Sequence, residues 1–226
     1  MKVYTMKKQI LTIFASLLLF TSANAIEFGI GVSGSLATVK ASGSESETTN
    51  TGAEASVRTA DVDNIAGVGS IFAEVILDNG ITFGAEIVPM SADVSSSTHA
   101  RTEASIAADG EGVTGTNTRT AAAEVENFTT FYTEIPVGGM YVKAGISQID
   151  INTLENSLTD GGVYKNDTVD GITVGLGVKG EFMGFYTKVS GEMTDFDEYV
   201  GSSGTTNQIN ADLDVSQLKF SIGKAF

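Results

Sequence analysis

The chain of 226 residues has no cysteine and no tryptophan, a single histidine, and only 13 lysines and arginines against 28 aspartates and glutamates. Each shortage excludes something. Without cysteine there is no disulfide and no lipid-bearing N-terminal cysteine, so the backbone ladder has to hold the fold. The one histidine, His99, stands in a polar stretch beside Ala100 and Arg101. Zinc sites and nucleophile–base pairs usually need more fixed partners than that, so a solvated loop histidine is the first reading and a loop Ser-His-Asp site the remote alternative. A formal charge of −15 repels nucleic acid and favours cationic partners or divalent ions. Long apolar runs are missing as well: after residue 25 nothing approaches the ~20 residues of a membrane helix. Such a chain crosses a bilayer only as a closed barrel, in which every backbone group pairs with a neighbouring strand.

What is present begins with a basic, then apolar, N-terminus. Lys7 and Lys8, the stretch from Ile10 to Phe20 and the small-residue site Ala23-Asn24-Ala25 supply the three parts of a secretory signal. That apolar stretch is too short to span a membrane. We expect residues 1–25 to be a cleaved signal peptide and residues 26–226 to be one domain. The lysines at 2, 7 and 8 leave with the signal, so the exported chain carries ten basic residues against 28 acidic, a net −18.

Period-two alternation then recurs in eight segments. Their apolar phases are Phe28/Ile30/Val32/Leu36, Ile65/Ile71/Ala73/Val75/Leu77, Ile81/Phe83/Ala85/Ile87 and Val125/Phe131/Ile135/Val137. The remaining four are Met140/Val142/Ala144/Ile146, Ile172/Val174/Leu176/Val178, Phe185/Val189/Met193 and Leu218/Phe220/Ile222/Phe226. Glycine and β-branched residues fill these stretches and helix caps are absent, so strands are expected here rather than helices. Tight turns at Asp78-Asn79-Gly80, Pro136 to Gly139 and Glu181 to Gly184 alternate with long polar connections at 41–62, 93–124, 152–168 and 197–210. The pattern predicts an all-β, eight-stranded antiparallel up-and-down barrel with short turns at one end and long loops at the other. The 93–124 connection alternates again at Thr98, Ala100, Thr102, Ala104 and Ile106, which fits a fin of extended strands, a plain polar loop, or an extra hairpin making ten strands.

The sign of the alternation decides between a soluble and a membrane barrel. The non-apolar phase holds glycines and serines, among them Gly29, Gly31, Ser33, Gly84, Gly145, Ser147, Gly177 and Ser221, which suit a cramped lumen. It also holds Glu27, Glu74, Glu86, Glu134 and Glu192 with Lys143, Lys179, Lys188 and Lys219. That set is near balance in a strongly acidic chain. A lumen must pair its charges, because an unpaired buried charge is costly; a solvated face has no such need. We therefore expect the apolar phase to face lipid and Glu74, Glu86, Glu134, Lys143, Lys179, Lys188, Glu192 and Lys219 to form a network inside. Phe28, Phe83, Phe185 and Phe226 fall at the short-turn end as half of an aromatic girdle.

The closing strand, Leu218, Phe220, Ile222, Lys224 and Phe226 on one phase, resembles the last strand of bacterial outer-membrane barrels, whose assembly machinery reads a terminal aromatic preceded by alternating apolar positions. Lys224 departs from that pattern, though lysine can snorkel from a strand end. Strand number and loop order are similar to the small OmpA/OmpX-type, opacity-protein-like barrels. The resemblance implies a monomer in the outer membrane of a Gram-negative bacterium, with periplasmic turns, outer loops, and Leu218, Phe220, Ile222 and Phe226 as the assembly signal.

Other motifs carry less. Gly29-Ile30-Gly31-Val32-Ser33-Gly34 spells a dinucleotide fingerprint, but such a motif needs a strand-to-helix junction and here the alternation simply continues. Asp61/Asp63, Asp195/Asp197 and Asp212/Asp214 are acid pairs of a kind that binds Ca²⁺ or Mg²⁺, without the spacing of a calcium loop; solvated rim acids are the plain alternative. No catalytic, cofactor or metal set is assigned. An eight-stranded barrel is just wide enough to be filled by side chains, so a plugged barrel displaying acidic loops in a structural or interaction role is the first expectation. A narrow passive pore for small solutes or cations is the second.

Overall fold

A computed structural model describes residues 26–48, 54–93, 99–106, 113–156, 164–202 and 207–226. The expected signal segment lies outside them. Among the described residues there are eleven strands: β1 (Ile26–Thr48), β2 (Glu54–Leu77), β3 (Thr82–Ile87), β4 (Ala92–Asp93), β5 (His99–Ile106), β6 (Val113–Val137), β7 (Met140–Asn156), β8 (Asp167–Phe182), β9 (Phe185–Phe196), β10 (Tyr199–Ser202) and β11 (Asn207–Ala225). All pairings are antiparallel, and β1-β2-β3-β6-β7-β8-β9-β11 close into a ring of eight through β1–β11. The short strands β4 and β5 continue the line of β3 along β6, and β10 lies on β11 above β9. The described residues within 93–124 thus form a fin on an eight-stranded barrel and add no strand to the ring.

Closure runs to the last residue. Phe28 N–H donates to the Phe226 carbonyl at 3.2 Å and Phe226 N–H donates to the Phe28 carbonyl at 2.9 Å. Beside this seam, Lys224 holds its Nζ 5.5 Å from the Phe226 ring centre and 5.9 Å from that of Phe185. A cation over aromatic faces at a strand end is a comfortable interfacial position, which accounts for the residue that departs from the apolar pattern.

The outward phase is apolar around the ring. Ile30, Leu36, Ile65, Ile135, Ile172, Leu176, Met193, Leu218 and Phe220 are each at least half exposed. A continuous exposed belt of this size is untenable in water and suits hydrocarbon. Three tight turns close one end. In the last, Phe182 pairs with Phe185 around Met183 and Gly184, whose φ angles of 53° and 79° make the left-handed pair that matches strand twist.

Two sequence expectations change. The polar connections are mostly ladder: β1 and β2 stay paired as far as Glu47↔Ser56, and β6 and β7 as far as Thr120↔Asn156. Composition suggested loops because strands above the bilayer are wetted on their outer side and lose their apolar phase. Val125 also leaves the lipid face assigned to it. A bulge between Glu126 and Thr129, with Asn127 at φ 55°, inserts one residue into β6. One extra residue exchanges the two faces of a strand, so Val125 packs inward while Ile135 and Val137 below remain outside.

Candidate functional site: the barrel lumen

The lumen is built from the inward phase of all eight ring strands and is filled at successive levels. Nearest the turns, β2, β3, β6, β7, β9 and β11 bring charged side chains together. Lys188 donates to both oxygens of Glu134, at 2.8 and 2.9 Å, and to Glu74. Glu74 also accepts from Tyr132 at 2.7 Å and Tyr186 at 2.9 Å. A second group lies next to it. Lys219 meets Glu86 at 2.7 Å and Glu192 at 3.0 Å, and Lys143 meets Glu192 at 3.0 Å and Glu86 at 3.3 Å. Hydroxyls of Ser70 and Ser190 complete the carboxylates of Glu86 and Glu192. None of these seven charged side chains is more than 7 % exposed. Lys143 also lies 4.0 Å from the Tyr132 ring centre, which joins the two groups.

Lys179 is placed apart. Its Nζ sits 4.6 Å from the ring centre of Tyr186 near the turn end, more exposed than the others and without a carboxylate partner among the described residues. Four glutamates therefore face three lysines in the sealed group, with Lys179 outside it.

Sequence reasoning missed the aromatic members. Tyr132, Tyr141, Tyr186 and Phe72 all point inward and are buried. The signal that could have found them is the glycine across the ladder. Tyr132 faces Gly84, Tyr141 faces Gly177, Tyr186 faces Gly223 and Phe72 faces Gly31. A Cβ on Gly84 would come within 2.5 Å of the Tyr132 hydroxyl. Each of these four glycines is thus the space into which the facing ring packs against the wall.

Above the charges runs a line of hydroxyls across four adjacent strands: Thr130 to Ser147 at 2.9 Å, Ser147 to Thr173, and Thr173 to Thr194 at 2.6 Å. Higher still, Ala37, Ile149, Val169, Phe196, Tyr199, Leu213 and Val215 form an apolar core, with Phe128 edge-on to Phe196 at 5.6 Å between ring centres. This second plug was also missed: Tyr199 belongs to a segment read as an outer loop, and the other six lie between those segments and the apolar phases assigned to the strands, where no face was assigned to them.

Outside, the closing-strand residues Leu218, Phe220, Ile222 and Phe226 all face outward. At the upper margin of the belt Asp63, Lys40, Asp214 and Asp195 lie in register on β2, β1, β11 and β9, all exposed. The Gly29–Gly34 stretch is plain strand within β1. The backbone of His99 lies in β5, and its side chain is outside the described set.

No family description and no curated protein matches this chain. Among solved structures it is similar to Neisserial surface protein A, with 8 % identity over 88 % of this chain and 97 % of that one and a TM-score of 0.39. It is similar to the outer-membrane protease OmpT from Escherichia coli, with 8 % identity over 92 % and 99 % and a TM-score of 0.45. It is also similar to the outer-membrane protein AlkL, with 14 % identity over 91 % and 92 % and a TM-score of 0.41. All three matches cover nearly the whole length of both chains.

Proposed function

We propose that this protein is a closed barrel of the outer membrane of a Gram-negative cell, with a structural or interaction role carried by its acidic strands above the bilayer. In this reading residues 1–25 direct export, and Leu218, Phe220, Ile222 and Phe226 are the signal that the assembly machinery reads. The barrel works as a monomer in outer-membrane lipid, and divalent cations are candidate partners of its acidic rim.

The observation that carries this is the lumen, closed in series by ion pairs, a hydroxyl line and an apolar core. A passive path needs continuous water. The space beside the inward Gly29, Gly31, Gly84, Gly177 and Gly223 is occupied by tyrosine and phenylalanine rings.

Conductance of the purified, refolded protein in planar bilayers tests it. The closed barrel gives no reproducible open-channel steps. Steady unitary currents, or liposome swelling that responds to Glu86→Gln and Lys188→Met, would instead establish the narrow pore.

A further inference from the structure

The wall of the barrel is not uniformly zipped. β2 is paired with β1 along its whole length, but with β3 only from Ile71 to Ile76. From Glu54 to Ser70 its other edge has no ladder partner among the described residues. On the far side, β4 and β5 are paired only with β6. They lie on the β2 side of β6, because Val125 pairs with Ala92 on one side and Ile151 on the other, and Ala121 likewise with His99 and Glu155. Among the described residues, two strand edges without ladder partners therefore border one slot above Ile71 and Ile87. The seam at the other short strand is different. There Asp197 N–H donates to the Asp170 carbonyl at 2.8 Å, and the Tyr199 hydroxyl reaches the Lys165 carbonyl at 2.8 Å.

We propose that this slot is a site for strand addition, and that its occupant is an extended peptide segment with basic residues alternating with small apolar ones. Free strand edges present rows of unmet donors and acceptors, which an extended chain satisfies directly. The alternation follows from the faces of β2. Ala66 and Val68 point inward, with Val68 against the apolar core, so the inner positions of the added strand bury small apolar side chains there. Asp61 and Asp63 are exposed on the outer face; across β1, Ser42 lies between Asp61 and Asp212 and Lys40 between Asp63 and Asp214, so four acids surround one base there. Opposite charges across a ladder attract, and like charges directly opposite repel. The same charges argue against a second copy: pairing two β2 edges would bring together two stretches that each carry Glu54, Asp61 and Asp63 against Arg58 alone. This inference rests on the surface-interaction role proposed above and names its partner class.

The test uses the full refolded chain in zwitterionic micelles, with a short acetylated and amidated peptide of alternating lysine and valine as probe. Hydrogen exchange read residue by residue should slow in β2 from Glu54 to Ser70 and in β5, and stay unchanged in β9 and β11. The same peptide N-methylated at alternate residues loses the donors of one edge and should give no such protection. Asp61→Asn with Asp63→Asn should weaken the unmodified peptide by about fivefold at low salt, and less at high salt. Equal binding of the N-methylated peptide, or protection elsewhere on the barrel, would overturn the proposal. So would β2 amides above Ile71 that already exchange as slowly as those of β1, or whose protection rises with protein concentration alone, since the slot is then closed or shared by a second copy. Bilayer conductance is a separate measurement, so a conducting barrel that still shows slot protection would remove the closed lumen and leave the slot standing.

Discussion

Lys188 shows how much one lumen residue carries. It is the cation shared by Glu74 and Glu134, and both carboxylates are buried. Removing one partner of a buried ion pair costs about 3–5 kcal/mol, because the charge left behind is neither paired nor solvated. Lys188→Met should cost that much in urea unfolding of the barrel in lipid vesicles. Adding Glu134→Gln removes one stranded charge, so the double variant should be more stable than Lys188→Met alone. Simple additivity of the two losses would mean that they do not share a network. The charged members could be seen in the sequence because a lysine or glutamate on the small-residue phase of a barrel strand has only one place to go. The tyrosines could not. Tyrosine has an apolar body and a polar tip, which suits lumen, interface and rim alike. Only the glycines across the ladder, known once the register is known, give its face away.

Turns and bulges set that register. The Met183–Gly184 turn has left-handed backbone at both positions, and methionine bears its φ of 53° without compensation, since its side chain is 82 % exposed. Asparagine adopts this conformation more readily. Met183→Asn should therefore raise the thermal midpoint of the refolded barrel, by about 0.5–1 kcal/mol of stability. A loss on that substitution would show that Met183 contributes an interfacial contact worth more than the strain. The tight turns were legible because glycine marks them. The bulge at Asn127 was not, since one asparagine, though it favours left-handed backbone, does not by itself separate a bulge from continuing strand, and its consequence is large: Val125 moves from lipid to core. The upper strands were hidden for the opposite reason. Above the bilayer their outer face is polar and their apolar residues turn inward, so composition alone resembles a loop.

At the scale of the whole barrel the lumen is a set of barriers in series. The charged group sits near the turns, and the apolar core built on Phe196 sits at the level of Ala37 and Leu213, separated from it by the hydroxyl line. Barriers in series make stability and closure separable. Truncating Phe196 removes a buried ring and its edge-on contact with Phe128, so Phe196→Ala should cost about 3–5 kcal/mol in unfolding. The same variant should remain electrically silent in planar bilayers, because Lys143, Lys188 and Lys219 with their glutamates still fill the section beneath. Channel steps from Phe196→Ala would mean that the apolar core alone keeps water out and that the ion-paired level is wet. Silence together with the stability loss would place closure in both levels at once, as expected of a barrel whose work is done on its outside.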